Sequence, residues 1–182
     1  MFERNTLNRK MYANQGTFFN VSGRFVSGRE LTTPGTTGLF SDTTNMHHEW
    51  MQLKITYDNY FKTVGSVKLG FYNEILFSNQ PFFANYTASI LSAQAYQPTA
   101  QSKTLFLEDY RTHNYVGAGI KTVLTLNKSF EMRLEGHIFQ PFQQIVTTTE
   151  LKAKYGSAFS DRSTIGSLAM VYHSPVGPAS LS

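Results

Sequence analysis

The chain has 182 residues, a formal net charge of +4, 15% charged residues and no cysteine. Aromatics make up 14%, as 15 Phe and 10 Tyr but a single Trp. These figures exclude a disulfide scaffold and a Cys-ligated metal site, and no stretch approaches the ~18 apolar residues of a membrane-spanning helix.

Apolar residues recur at every second position nearly throughout, in runs rich in β-branched and aromatic side chains. The first run covers 17–26. In the next, Met51, Leu53, Ile55 and Tyr57 share one face, and Gln52, Lys54, Thr56 and Asp58 share the other. Further strands are expected over 64–77, 82–95 and 115–126. Between 130 and 139, the apolar positions alternate with Glu131, Arg133, Glu135 and His137. Helical spacing would scatter those four groups, whereas strand spacing puts them in one row. The last runs are 166–172 and the strand that begins at 179. Several runs are ~9 to 13 residues long, against ~5 to 6 for soluble strands and about ten for a tilted membrane strand.

Asn127-Lys128 and Ser174-Pro-Val-Gly177 read as tight turns, while 30–48, 97–114 and 140–162 read as long polar loops. Short turns at one end and long loops at the other are the pattern of an outer-membrane barrel. With the runs as placed, the long loops do not all fall at one end. One further strand is therefore expected, within 30–48 or between Leu105 and Tyr110. The low charge and high aromatic content fit the same architecture, because only alternate residues of a barrel wall meet lipid. A soluble β-sandwich, with its polar face toward water, is the structural alternative. Gly23 and Gly136 on apolar faces favour a curved wall.

Several stretches carry a family resemblance: Leu7-Asn-Arg-Lys-Met-Tyr-Ala-Asn-Gln-Gly16, Asn79-Gln-Pro-Phe-Phe-Ala-Asn-Tyr-Thr87 and Tyr96-Gln-Pro-Thr-Ala-Gln-Ser-Lys-Thr-Leu-Phe106. Most telling are Arg133-Leu-Glu-Gly-His-Ile-Phe-Gln-Pro141 and Ser160-Asp-Arg-Ser-Thr-Ile-Gly-Ser-Leu-Ala169, running into Tyr172-His-Ser-Pro-Val-Gly-Pro-Ala-Ser180. In this order they resemble the C-terminal barrel of Bacteroidota patatin-like phospholipases, within the bacterial surface-antigen superfamily.

The resemblance implies an all-β antiparallel transmembrane barrel segment. Residues 1–182 would supply about eight or nine strands of a larger barrel and be truncated at both ends. It implies an outer-membrane location, contact with outer-membrane lipid and lipopolysaccharide, insertion by the barrel-assembly machinery, and upstream patatin and POTRA-like domains in the parent chain. In that family the patatin domain carries a Gly-x-Ser-x-Gly elbow and an Asp-Gly partner. Here Ser66 follows Gly65 but precedes Val67-Lys68, and none of Asp42, Asp58, Asp109 or Asp161 precedes Gly. No catalytic residue is carried over, and no cofactor or metal is implied. The expected function is thus the non-catalytic anchor or translocator of an acyl hydrolase. A protein-assembly or secretion pore of the same superfamily and a soluble β-sandwich binding module are the alternatives.

The best ionisable row is Glu131, Arg133, Glu135 and His137, with Lys54 and Asp58 on a neighbouring strand. Glu131 and Glu135 would stand ~13 Å apart, beyond the ~5 to 9.5 Å of paired glycosidase carboxylates. The row is therefore expected to face the lumen, with Arg133 pairing across strands. His47-His48-Glu49 alternates between faces and so converges poorly on a metal; His113 and His173 are isolated. Arg24, Lys54, Lys68 and Lys121 fit a basic lumen or contact with anionic headgroups. The basic residues are spread along strands, without the clustered stripe of a nucleic-acid binder. Trp50, Tyr57, Tyr60, Phe61, Phe71, Phe77, Phe82, Phe83 and Tyr172 suit aromatic girdles at two membrane interfaces.

Overall fold

Strict alternation extends the strands well beyond ordinary length. In the computed structural model, which describes residues 1–33 and 43–182, β2 (Gly16–Thr32) has 17 residues and β3 (Thr44–Val64) has 21. They pair without a break from Gly16–Tyr60 to Thr32–Thr44. The other long strands are β4 (Val67–Ser78), β5 (Tyr115–Thr125), β6 (Phe130–Pro141) and β9 (Ser163–Ser174). Short strands β1 (Phe2–Asn5) and β10 (Gly177–Leu181) complete one eight-stranded antiparallel sheet, in the order β1-β2-β3-β4-β5-β6-β9-β10. Strands β7 (Gln143–Thr147) and β8 (Ala153–Ala158) form a separate hairpin. The described sheet is open: β1 pairs only with β2, and β10 only with β9.

The expected strand over 82–95 is instead the helix α1 (Tyr86–Ser92) within the connection 79–114. Asn85 caps it, its side chain accepting from Ala88 N at 2.8 Å. Ser89 and Ile90 are buried, so local capping and helical spacing override the period-two reading. This correction restores the parity of the loops. The connections 33–43, 79–114 and 142–162 all leave one end of the sheet, and the tight turns all leave the other. An extra strand between Leu105 and Tyr110 is replaced by a short 3₁₀ turn over Glu108–Tyr110. The middle of 30–48, including Asp42, lies outside the described residues. The run 64–77 begins with a hairpin turn at Gly65-Ser66, where Gly65 sits at φ +59°, the left-handed region such two-residue turns require. The expected loop 140–162 contains the β7–β8 hairpin.

One face of the sheet is covered by residues 6–15 near the tight turns and by 79–114 near the long loops. Tyr96 enters from the latter and is fully buried, packed with Leu76, Tyr115 and Phe139. Gly117 makes this approach possible: a Cβ there would stand 2.1 Å from the Tyr96 ring. A second cluster joins Ile90 and Ala93 to Ile145 of the hairpin.

Candidate functional site

The expected polar row lies on the covered face, and the alternation of both strands is as read. Glu131, Arg133 and His137 are 3%, 4% and 2% exposed, and Lys54 and Asp58 project to the same side from β3. Two neighbouring clusters organise them. In the first, Glu74 of β4 accepts from the Tyr72 and Tyr115 hydroxyls, both at 2.5 Å, and pairs with Lys54 Nζ at 2.9 Å. Lys121 of β5 donates to Asp58 Oδ2 at 2.7 Å and lies over the Tyr72 ring, 5.1 Å from its centroid. These are charge-assisted bonds inside a covered space, where solvent screening is weak.

The second cluster joins the strands to the N-terminal segment. Arg133 Nη2 donates to the Tyr60 hydroxyl at 2.7 Å and to the Ala13 carbonyl at 3.0 Å. Its Nε reaches Glu135 at 3.3 Å, and its Nη1 lies 3.7 Å from Glu131. Arg133 therefore joins the carboxylates of its own strand and the covering segment, and its cross-strand contact is with Tyr60 of β3. Its immediate neighbours in register, Val123 and Ala169, carry no charge. Glu131 accepts from Arg9 at 2.8 Å and from the Asn14 amide. Arg9 also contacts His173 Nε2 at 2.8 Å. Glu131 Oε2 lies 3.3 Å from the same nitrogen and has no hydrogen-bond partner among the described residues.

Among the described residues His137 has no hydrogen bond at either ring nitrogen, although Glu135 lies 3.5 Å from Nε2. Gly119 leaves room for its ring, since a Cβ there would stand 2.0 Å from Nδ1. Across the two clusters, Arg9, Lys54, Lys121 and Arg133 are matched by Asp58, Glu74, Glu131 and Glu135. Each carboxylate takes at least one cation, so the arrangement ties the sheet to its cover. A cavity of about 460 Å³ adjoins the first cluster, and Lys10 and Lys103 also line it.

The remaining expected residues separate. His47 and Glu49 meet at 3.0 Å on the exposed face, while His48 turns inward and binds Glu30 at 2.8 Å. Adjacent strand residues point apart, so these three do not converge. His113 is buried and bonded through Nδ1 to the Tyr155 hydroxyl at 2.8 Å, and among the described residues its Nε2 has no partner. Burial holds its pKa down at about 4. Arg24 donates to Gln52 at 3.3 Å.

Of the expected girdle residues, Tyr57, Phe61, Phe71, Phe77 and Tyr172 lie on the uncovered face. Tyr57, Phe61 and Phe71 stack near the tight turns together with Phe19, and Phe130 joins Tyr172 at 4.7 Å. Trp50, Tyr60, Phe82 and Phe83 belong instead to the covered side, where Phe83 packs edge-on to Trp50. Glu74 and Tyr72 went unrecognised in the sequence, although their alternation with Phe71, Asn73 and Ile75 marks their face. Arg9 and Asn14 sit in a loop, where no periodicity could have marked them.

Comparison with protein-family models, with curated proteins and with solved structures finds no match to this chain.

Proposed function

We propose that the chain is a stretch of the wall of a transmembrane β-barrel in a bacterial outer membrane, the non-catalytic anchor of a patatin-like phospholipase. The observation that carries the barrel reading is an inversion of polarity across the eight-stranded sheet. Its covered face holds the ion pairs, whereas Phe25, Met51, Leu53, Phe77, Ile120, Leu134, Leu168 and Met170 stand on the open face, each at least 40% exposed. Water would reward the opposite arrangement, while a bilayer rewards this one. Strands longer than the ~9 to 11 residues needed to cross, long loops at one end and aromatic rings on the open face support the same reading.

Two open edges support a larger barrel. In lipid, each unsatisfied backbone group costs several kcal/mol, so further strands must close the wall. Residues 6–15 and 79–114 already occupy the covered face, which favours an anchor over an open secretion conduit. The assignment to a phospholipase rests on the motif resemblance, and with it the patatin and POTRA-like neighbours, the lipid and lipopolysaccharide contacts and insertion by the assembly machinery.

Fractionation of producing cells tests the wall: the chain should resist alkaline extraction and stay with the outer membrane. Recovery as a folded monomer in detergent-free buffer would overturn the reading. A Gly-x-Ser-x-Gly elbow encoded upstream is the expected sign of the lipase, and an open reading frame without it would favour an assembly or secretion pore.

A further inference from the structure

At the long-loop end, the open apolar face is interrupted by a furrow of about 420 Å³ running across β4, β5 and β6. Phe77, Val116, Phe142 and Phe159 form its apolar lining, and Asn114 and Gln140 stand at its margin. Gln140 faces outward because it pairs with Val116 in register. Its Oε1 accepts from Arg162 Nε at 3.0 Å, which fixes an exposed guanidinium beside the furrow. A long apolar trough with an oriented cation at its edge is complementary to an anionic amphiphile.

Phe159 shapes one end of the furrow. It holds φ at +55°, a left-handed conformation that non-glycine residues avoid. Its N–H donates to the Phe142 carbonyl at 2.8 Å, and the two rings meet edge-on at 5.1 Å. Both remain outside, Phe159 at 65% exposure. The hydrogen bond and the ring contact hold the two aromatic side chains together at the long-loop end of the furrow.

We propose that this furrow seats an acyl chain of one phosphate-bearing lipid from the surrounding leaflet, with the phosphate taken by Arg162. The proposal rests on the wall reading above. It goes further by naming one residue-defined lipid site on a face that otherwise meets bulk hydrocarbon. A lipid is favoured over a protein occupant because the furrow is continuous with the apolar face and Arg162, bonded to the lining residue Gln140, offers a cation at its long-loop end.

The test is photocrosslinking of the protein reconstituted in phosphatidylcholine vesicles, where the probes reach both leaflets. The probes are phosphatidylglycerol and diacylglycerol carrying the same diazirine acyl chain, with labelled peptides mapped by mass spectrometry. Phosphatidylglycerol should label the peptides holding Phe77, Val116, Phe142 and Phe159 in preference to the one holding Leu168 and Met170. Phe159→Gly keeps the left-handed backbone without strain and should cut furrow labelling about tenfold, as expected for losing one anchor. Labelling at Leu168 should be unchanged and report an intact wall. Arg162→Gln should lower labelling by phosphatidylglycerol but not by diacylglycerol. Uniform labelling of the open face overturns the site and leaves the wall reading intact; labelling nowhere on that face overturns both. A furrow protected while the rest of the face labels means a protein occupant and overturns the lipid assignment. Equal labelling by both probes, unaffected by Arg162→Gln, overturns the phosphate contact.

Discussion

The two faces of the eight-stranded sheet share one backbone and differ in every other respect. On the covered face Lys121 and Arg133 are 6% and 4% exposed, each within reach of a carboxylate. On the open face Ile120 and Leu134, their immediate neighbours in sequence, are 68% and 59% exposed. The comparison separates two kinds of stability. The covered face is held by specific partners, so removing one group leaves another buried and unpaired. The open face is held by whatever solvent surrounds it, so substitutions there report the solvent rather than the fold.

The largest expected effect follows from breaking the specific side. Arg133→Met leaves Glu131 and Glu135 without their shared cation and frees the Ala13 carbonyl. It should destabilise the folded chain by about 3–5 kcal/mol, measured by urea unfolding in detergent or vesicles. A loss below about 1 kcal/mol would mean that the network is solvated and the two faces are less distinct than drawn.

Next comes the open face. Ile120→Arg should cost about 2–4 kcal/mol near the middle of a bilayer, but within about 0.5 kcal/mol of nothing at a water-exposed position. Unfolding of the variant in vesicles distinguishes the two, and a neutral outcome would remove lipid from that face. Gly117→Ala tests how closely the cover is fitted, because the new methyl would overlap the Tyr96 ring. Overpacking of this kind costs about 1–3 kcal/mol, and the pairing Gly117→Ala with Tyr96→Leu should recover part of it in thermal melts.

The smallest effect concerns His113, which joins the cover to the β7–β8 hairpin outside the long strands. Its folded pKa of about 4 lies below the ordinary value, 6.5, so the unfolded state binds the proton first as pH falls. Stability at this joint is therefore full above the ordinary value and declines as pH drops toward about 4. Between about pH 7 and pH 5.5 the loss should be roughly 1 kcal/mol, read by hydrogen exchange of hairpin amides. Among the described residues, the one titratable group in hydrogen-bond contact with His113 is Tyr155, so His113→Phe should flatten the profile.

Much of this contrast was legible in the residue pattern. The row Glu131, Arg133, Glu135 and His137 and the row Lys54, Thr56 and Asp58 share the covered side because strand geometry admits no other arrangement for alternating residues. The helix over Tyr86–Ser92 was not legible by periodicity, although Asn85 at its start and the Ala88, Ile90 and Leu91 that follow are a local helical signal. Reading it as a strand was what broke the parity of the loops. The turn at Gly65-Ser66 was hidden because Val64 and Val67 continue the apolar content on both sides.

The sequence alone determined the long strands of the sheet and their faces, because period-two patterning acts between near neighbours and needs no knowledge of the rest of the chain. Only the tertiary structure decided which groups complete those faces. Arg9, Asn14 and Tyr96 reach the sheet from loops, across sequence separations that no local pattern encodes. Tyr60 meets Arg133 only once intervening strands have set the curvature. The partners of a buried charge are a property of the closed space around it, and that space exists only after folding.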